Sequence, residues 1–518
     1  MLARMRDSPA AGPITVADDG SARAWSLGEL VAAAETFAGR LIAGGVRRGE
    51  RLAIAAPDPR YLLVAVFGAV RCGAVPIVLA DRSALTPEAW AAAAERIVRM
   101  SAARWVVRPP AGRGAGPAVG PELVVDDASG PVPVNISLPD PASVRPQELA
   151  LLQFTAGSAG APIGAPLTHA AVLACARARL HDALRAGPGD RVLGWMPLHL
   201  DLVGALLGPV MRRVPAVLAR PAPLEPGRWL QAVQRFGATI TYASHATLAV
   251  AGRPPPELDL SRVRAVVCAD GPLVAAALRG FVEQHADAGL ARGALVPAYG
   301  AVASAAPGEP LVVDRVAPDP FHRDGFAAPQ GHDPGDLSRG SLEFVASGRP
   351  LPGHRVEVVD ADGEPLGERE VGELVAFGPC VDDDASGQRT GHRGYLADGR
   401  LYVTGRARDV IVVHGCSYEP HHIEREAARV PGIAAGRVVA LARPGAVTDE
   451  LVVVVEGRAV DPAVLTTLTA ALRRQIQGAL GLRVAALVQV PTGALPRTTR
   501  GDLQRARARE LLLGGAWT

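Results

Sequence analysis

Leu151-Leu152-Gln153-Phe154-Thr155-Ala156-Gly157-Ser158-Ala159-Gly160-Ala161-Pro162-Ile163-Gly164 begins as an apolar strand and passes into a loop of small residues and glycine. A helix is expected from about His169. Such a loop can turn backbone N–H groups, with the Thr155 and Ser158 hydroxyls, toward phosphate oxygens. It is not a Walker A loop, because no Gly-Lys-Ser/Thr follows. Read alone, the stretch is equally a tight turn. Its surroundings decide the fold class. Strand-like runs at 51–56, 75–79, 104–107, 150–154, 191–195, 216–219, 239–242, 263–268 and 293–296 alternate with helical stretches such as 61–70, 170–184 and 227–236. That alternation implies parallel β-α-β units in a layered α/β fold. Upstream, Ser26 with Glu29 reads as a capping box opening an amphipathic helix that stops near Gly44 and Gly45.

Downstream the rhythm changes. Residues 306–340 are rich in Pro, Gly and Asp and read as an insertion-like loop. Short strands at 355–359, 372–377 and 401–403 follow in a more antiparallel region. From about residue 407, strands at 410–413, 437–440, 451–455 and 484–490 combine with helices at 420–429 and 462–480 into a small α+β unit. The expected organisation is a large N-terminal domain, 1–406, and a small C-terminal domain, 407–518. A chain of 518 residues accommodates this, at roughly 100–200 residues per domain.

Composition narrows the function classes. With 54 basic against 52 acidic residues, nothing points to nucleic acid or a membrane surface. Hydrophobic content of 48% supports a sizeable core. The five cysteines are scattered and form no metal-ligand pair or disulfide framework. With no signal-like N-terminus and no apolar run long enough to span a bilayer, the expected location is the cytoplasm. Every basic residue other than histidine is arginine, so no step within this chain can use a lysine amine. Cys268 reads as packing, His414, His421 and His422 as solvated surface residues, and no Gly-x-Ser-x-Gly elbow suggests a hydrolase. No metal site is expected.

Several blocks follow the opening loop in order: Trp195-Met196-Pro197-Leu198-His199-Leu200-Asp201, Cys268-Ala269-Asp270-Gly271-Pro272, Pro297-Ala298-Tyr299-Gly300, Arg389-Thr390-Gly391-His392-Arg393-Gly394-Tyr395, Thr404-Gly405-Arg406-Ala407-Arg408-Asp409 and Leu495-Pro496-Arg497-Thr498-Thr499-Arg500-Gly501-Asp502. This series resembles the adenylate-forming superfamily, and its nearest branch resembles the fatty acyl-AMP ligases. The resemblance implies a large α/β domain with a small, mobile α+β domain. It makes Thr155, Gly157, Ser158 and Gly160 a phosphate loop. Tyr299, Gly300 and Arg406 become nucleotide or planar-ligand contacts, Arg408 a hinge, and 196–207 with 243–248 an acyl lining. It also implies an acyl substrate and an acyl carrier protein partner, in polyketide or lipopeptide assembly.

The departures from the family pattern cluster at the ATP site. Ile163 stands where the family has a phosphate-loop lysine, Ala303 where it has a magnesium-holding glutamate, His392 where it has the ribose-binding aspartate, and Asp502 where it has the C-terminal lysine. The family's pocket histidine near Asp201 is also missing, with Leu200 or Leu202 in its place depending on the alignment and His199 available to substitute. Adenylation builds negative charge that cations and Mg²⁺ stabilise, and drift from lysine would have kept a cation. The resulting expectation is a ligase homologue that keeps its acyl cleft but has lost ATP-dependent adenylation. His392, Asp502, His199 and Asp201 are then its candidate catalytic residues, and His392 and Asp502 a candidate acid–base pair. No cofactor is required, and ATP/Mg²⁺ enters only under the alternative of an active fatty acyl-AMP ligase loading a carrier. A further alternative is a non-catalytic partner of a true ligase.

Overall fold

The computed structural model describes residues 14–18, 21–56, 59–79, 87–110, 120–126, 136–155, 163–219, 225–269, 271–300, 302–316, 342–381, 387–414, 416–445, 448–458, 461–498 and 502–517. Within them the expected alternation folds into two main sheets. One runs in the order Glu122–Val124, Trp105–Arg108, Arg51–Ile54, Val75–Val78, Leu149–Thr155, Ile163–Thr168. It is parallel throughout except at its last join, where Leu149–Thr155 and Ile163–Thr168 form an antiparallel hairpin. The other is nine-stranded. Its parallel centre joins Leu295–Tyr299, Ala265–Cys268, Ile240–Tyr242, Val192–Gly194, Ala216–Ala219 and Ile14–Asp18.

Local chemistry explains the elements. The Ser26 hydroxyl accepts the Glu29 N–H at 3.2 Å, and the Glu29 carboxylate accepts the Ser26 N–H at 2.8 Å. That box opens the helix Leu27–Ala43, whose Leu30, Ala34, Phe37, Ala38 and Leu41 recur at helical spacing and are fully buried. Trp195, Trp229 and Phe281 stack successively, at 5.1 and 6.1 Å between ring centroids, in the same core. The helix expected over 170–184 differs from expectation. It is α-helical over His169–Arg177 and widens to a π-turn over Ala178–Ala183. A second π-turn spans Val203–Leu207. Such widened turns are rare and concentrate at functional sites.

The chain then builds an antiparallel sheet from Arg355–Val359, Gly372–Phe377, Gln388–Ala397 and Arg400–Arg406. The smaller C-terminal part follows. Val438–Arg443, Glu450–Glu456 and Val484–Val490 form its sheet, with helices Pro420–Ala427, Pro462–Leu480 and Arg505–Leu513. Large and small parts share apolar packing: Phe344, Tyr395 and Tyr402 lie in one core with Ile411, Ile423, Val453 and Leu472. His422 joins that core, its ring edge-on to Phe344 at 5.1 Å. The expectation of a solvated His422 is therefore corrected: burial, then nearby Arg425, hold its imidazole down to about 3. His421 is half-buried and His414 exposed. Of the insertion-like segment 306–340, residues 317–340 lie outside the described residues. Among those before them, Val313–Val316 pairs with Leu342–Val345. Among the described residues, no helix is long and apolar enough to cross a membrane.

Candidate active site

Strand ends meet at the edge of the nine-stranded sheet. Tyr299 closes Leu295–Tyr299, and Gly300 follows at φ +56°, a conformation that favours glycine. His392 sits on Gln388–Ala397, directly across from Arg406. The Tyr299 hydroxyl lies 3.0 Å from His392 Nδ1, and the rings meet edge-on at 5.6 Å. On its other side, His392 Nε2 stands 4.0 Å from where a Cβ on Gly271 would be. The imidazole thus spans the gap between Tyr299 and Gly271. Burial, then the charges of Arg406 and Arg408, hold it down to about 4. Burial pushes the Tyr299 phenol up to about 12. Both groups are neutral at pH 7.

Asp502 lies close enough to Arg406 for its charge to be felt there. Its carboxylate accepts from the Thr498 hydroxyl at 3.4 Å, and its N–H donates to the same oxygen at 3.2 Å. Its negative charge, with that of Asp409, favours the charged form of Arg406, while burial is the larger effect and lowers that pKa. The candidate pairing of His392 with Asp502 concerns a closed state of the two parts, and the contacts of His392 in this structure are others. His392 is partnered by Tyr299 and faced by arginines, so its pKa falls where a neighbouring carboxylate would have raised it. Arg408 lies in the single turn Ala407–Asp409 with its side chain 40% exposed.

A second group of polar side chains is built beside the second π-turn. Asp201 departs from helical geometry (φ −138°, ψ 49°). Its carboxylate binds the Arg179 guanidinium and accepts the Gly204 N–H at 3.2 Å. Arg179 also donates to the Gly300 carbonyl at 3.4 Å, tying Asp201 to the Tyr299 turn. Met196, Leu198, Leu206, Ala243 and Leu248 are buried in the large core. Sequence reading missed Arg179, because nothing in its helical pattern marks it before the π-turn swings it onto Asp201. The side chains of His199, Thr155 and Ile163 and the residues Gly157, Ser158 and Gly160 lie outside the described residues. Ala303 is fully buried beside Tyr299.

A Cβ on Gly204 would stand 2.6 Å from Arg179 Nη1 and 2.7 Å from Asp201 Oδ1. Gly204→Leu is therefore expected to split the ion pair, lower stability by about 1–3 kcal/mol through overpacking, and abolish any acyl-induced rise in melting temperature. Denaturant titration and thermal shift check both effects.

The junction between the two parts holds a second cluster. Glu419, 4% exposed, has Arg393 at 3.7 Å, Thr404 nearby, and Gly405 so close that any Cβ there would collide with its carboxylate. Burial pushes it up to about 7 from an ordinary 4.5, and Arg393 offsets this only in part. A carboxyl raised on folding stabilises fully below about pH 4.5, and that contribution fades as pH rises through 7. The difference in unfolding free energy between wild type and Glu419→Gln should accordingly shift by about 3 kcal/mol across that window, in the direction that favours wild type at low pH. Stability measured from pH 4.5 to 8 for both proteins checks the sign.

Comparison with known proteins decides the family. The family model described as AMP-binding enzyme matches residues 4–382. This chain belongs to the AMP-binding enzyme family. A putative acyl-CoA synthetase of Caulobacter vibrioides is 30% identical, covering 93% of this chain and 89% of the relative. The long-chain-fatty-acid–AMP ligase FadD26 of Mycobacterium marinum is 29% identical over 94% of this chain and 91% of its own length. A solved structure from work on fatty acyl-adenylate ligases of E. coli and L. pneumophila superposes with a TM-score of 0.85 at 26% identity. It covers 99% of this chain and 98% of the other. Among AMP-binding enzymes the chain is thus fatty acyl-AMP ligase-like, and the fold expected from the ordered motifs is the one observed.

Proposed function

We propose that this AMP-binding family member keeps the acyl side of a fatty acyl-AMP ligase-like site but has lost ordinary ATP-dependent adenylation. In this reading it acts on acyl or acyl-carrier ligands in polyketide- or lipopeptide-type assembly. The observation that carries the reading is the neutral His392 spanning the gap between Tyr299 and Gly271. By the motif resemblance, that gap is where a nucleotide base and ribose would lie. Mg²⁺·ATP fits the described side chains poorly. Ala303 offers a buried methyl where a metal-binding carboxylate would serve. Asp502 adds a negative charge on the side from which a cation would be needed.

The chemistry left to the site is hydrogen bonding and charge balance toward a bound ligand. A neutral imidazole bonded at Nδ1 to Tyr299 has its Nε2 free to face a ligand on the Gly271 side, and, held down to about 4, it serves at neutral pH as an uncharged hydrogen-bond partner rather than as a strong base. Arg406 can balance an anionic oxygen. Hinge motion at Arg408 would bring Asp502 toward or away from this centre. Full-length protein titrated with a long-chain acyl-pantetheine thioester should melt at higher temperature by mass action. No shift with any acyl ligand would contradict the reading. The names of the relatives favour a second one, an active fatty acyl-AMP ligase that loads a carrier. Pyrophosphate exchange separates the two.

A further inference from the structure

The stretch 196–207, expected to line an acyl cleft, carries a charge in place of a purely apolar wall. Arg179 lies in the π-turn Ala178–Ala183, and Asp201 stands just before the π-turn Val203–Leu207. Their side chains are 19% and 15% exposed, so the pair is largely dehydrated yet open to a ligand. A dehydrated ion pair is stabilising only when its remaining donors and lone pairs are also met. Here they are met in part. Asp201 Oδ1 accepts from Arg179 Nη1, and from the Gly204 N–H at 3.2 Å. Arg179 Nε donates to the Gly300 carbonyl at 3.4 Å. Those contacts leave Asp201 Oδ2 and Arg179 Nη2, an acceptor and a donor, without a hydrogen-bond partner among the described residues. Glycine at 204 keeps the space beside them clear. A Cβ there would stand 2.6 Å from Nη1 and 2.7 and 2.8 Å from Oδ1 and Oδ2. The Tyr242 hydroxyl donates to the Gly204 carbonyl at 3.4 Å and holds that niche from behind. Gly300 is exposed and directly follows Tyr299, so the pair adjoins the Tyr299–His392 contact.

We propose that Arg179 and Asp201 select acyl groups carrying a hydroxyl a few carbons from the carbonyl, an inference that rests on the acyl reading above. A hydroxyl donates and accepts at once. Its proton goes to Asp201 Oδ2, and its lone pair takes an N–H of Arg179 Nη2. The other common substituents fit less well. An ammonium satisfies the carboxylate but meets the guanidinium as a like charge, and a carboxylate does the reverse. A methylene satisfies neither and shields both from water, leaving two charged groups unmet. The position of the hydroxyl follows from the Gly300 contact. Because Arg179 is bonded to the carbonyl next to Tyr299, the niche lies near the carbonyl end of a ligand held at Tyr299 and His392, not at its tail. The pair sets specificity and takes no part in making or breaking bonds.

The test titrates full-length protein by calorimetry with decanoyl-pantetheine and, separately, with each enantiomer of 3-hydroxydecanoyl-pantetheine. One hydroxylated enantiomer should bind about ten- to a hundredfold more tightly than decanoyl-pantetheine, the usual gain from hydrogen bonds to charged groups. Asp201→Asn keeps an acceptor for the Gly204 N–H but puts a donor where Oδ2 stood, so the preference should fall to about threefold or less. Gly204→Ala should reduce it in the same way by filling the niche. Each readout is a ratio of affinities within one protein, so a general loss of stability or of acyl affinity cancels. Equal affinity of wild type for decanoyl-pantetheine and both hydroxylated thioesters would overturn this inference and leave the acyl reading standing. Binding of none of them would contradict the acyl reading, and this inference with it. A hydroxyl preference that survives both substitutions would place the selection elsewhere and overturn the proposal as well.

Discussion

Carboxylate-dependent exchange of pyrophosphate into ATP should stay at background for this chain with any fatty acid tested. A single missing group of the kind that stabilises a developing anion costs about 2.7–4 kcal/mol, a factor of roughly 10²–10³ in rate. Here the described residues place a methyl at Ala303, a neutral imidazole at His392 and a carboxylate at Asp502, and the sequence has Ile163 in the phosphate loop. These losses need not add, but even one puts exchange about two orders of magnitude below an ordinary ligase. Restoring one group is not expected to recover the reaction. His392→Asp alone should remain silent, because a ribose acceptor without cations does not stabilise a phosphorane-like charge. The variant combining Ile163→Lys, Ala303→Glu, His392→Asp and Asp502→Lys is the one expected to show measurable exchange. Robust exchange by wild type would establish the active-ligase reading instead.

Arg505→Ala should destabilise the small C-terminal part by about 3–5 kcal/mol, the usual cost of removing one partner from a buried ion pair. Arg505 Nε and Nη2 donate to the two Glu424 oxygens at 2.9 and 2.6 Å, a fork that fits a carboxylate in two-point contact. Asp409 lies a further 3.7 Å from its guanidinium. Glu424 also accepts the Ala440 N–H at 3.2 Å, so the pair links the helices Pro420–Ala427 and Arg505–Leu513 to the strand Val438–Arg443. Without the guanidinium, Glu424 and Asp409, whose side chains are 11% and 6% exposed, become buried anions facing each other's field. Arg505→Lys should recover only part of the loss, since an ammonium cannot form the fork. Urea titrations of both variants measure the difference. A loss below about 1 kcal/mol for the alanine variant would show that the pair is screened like a surface bridge.

Much of the fold was legible because its signals are periodic or positional. The run 216–219 coincides with the observed strand Ala216–Ala219, and helix Pro462–Leu480 and strand Val484–Val490 were bounded as found. Tyr299, Gly300, His392 and Arg406 were found together because motif order carries spatial information that composition lacks. Other features depend on contacts made only in three dimensions. The long strand Gln388–Ala397 reads as polar and glycine-broken, so its pattern hid a strand that is exposed at one end and buried at the other. The π-turn that brings Arg179 to Asp201 leaves no mark in helical periodicity. Charge complementarity suggested an approach of His392 to Asp502 in a closed state. In the fold, the backbone register sets His392 opposite Arg406, and Tyr299 takes the hydrogen bond. His422 looked polar and solvated, but the ring face of Phe344 and the shared core enclose it.

Calorimetric titration of the full-length chain with Mg²⁺·ATP and, separately, with a long-chain acyl-pantetheine thioester tests the central claim most directly. The account predicts saturable binding of the thioester and no saturable heat with Mg²⁺·ATP. Saturable binding of Mg²⁺·ATP in the micromolar range, with no binding of the thioester, would contradict it.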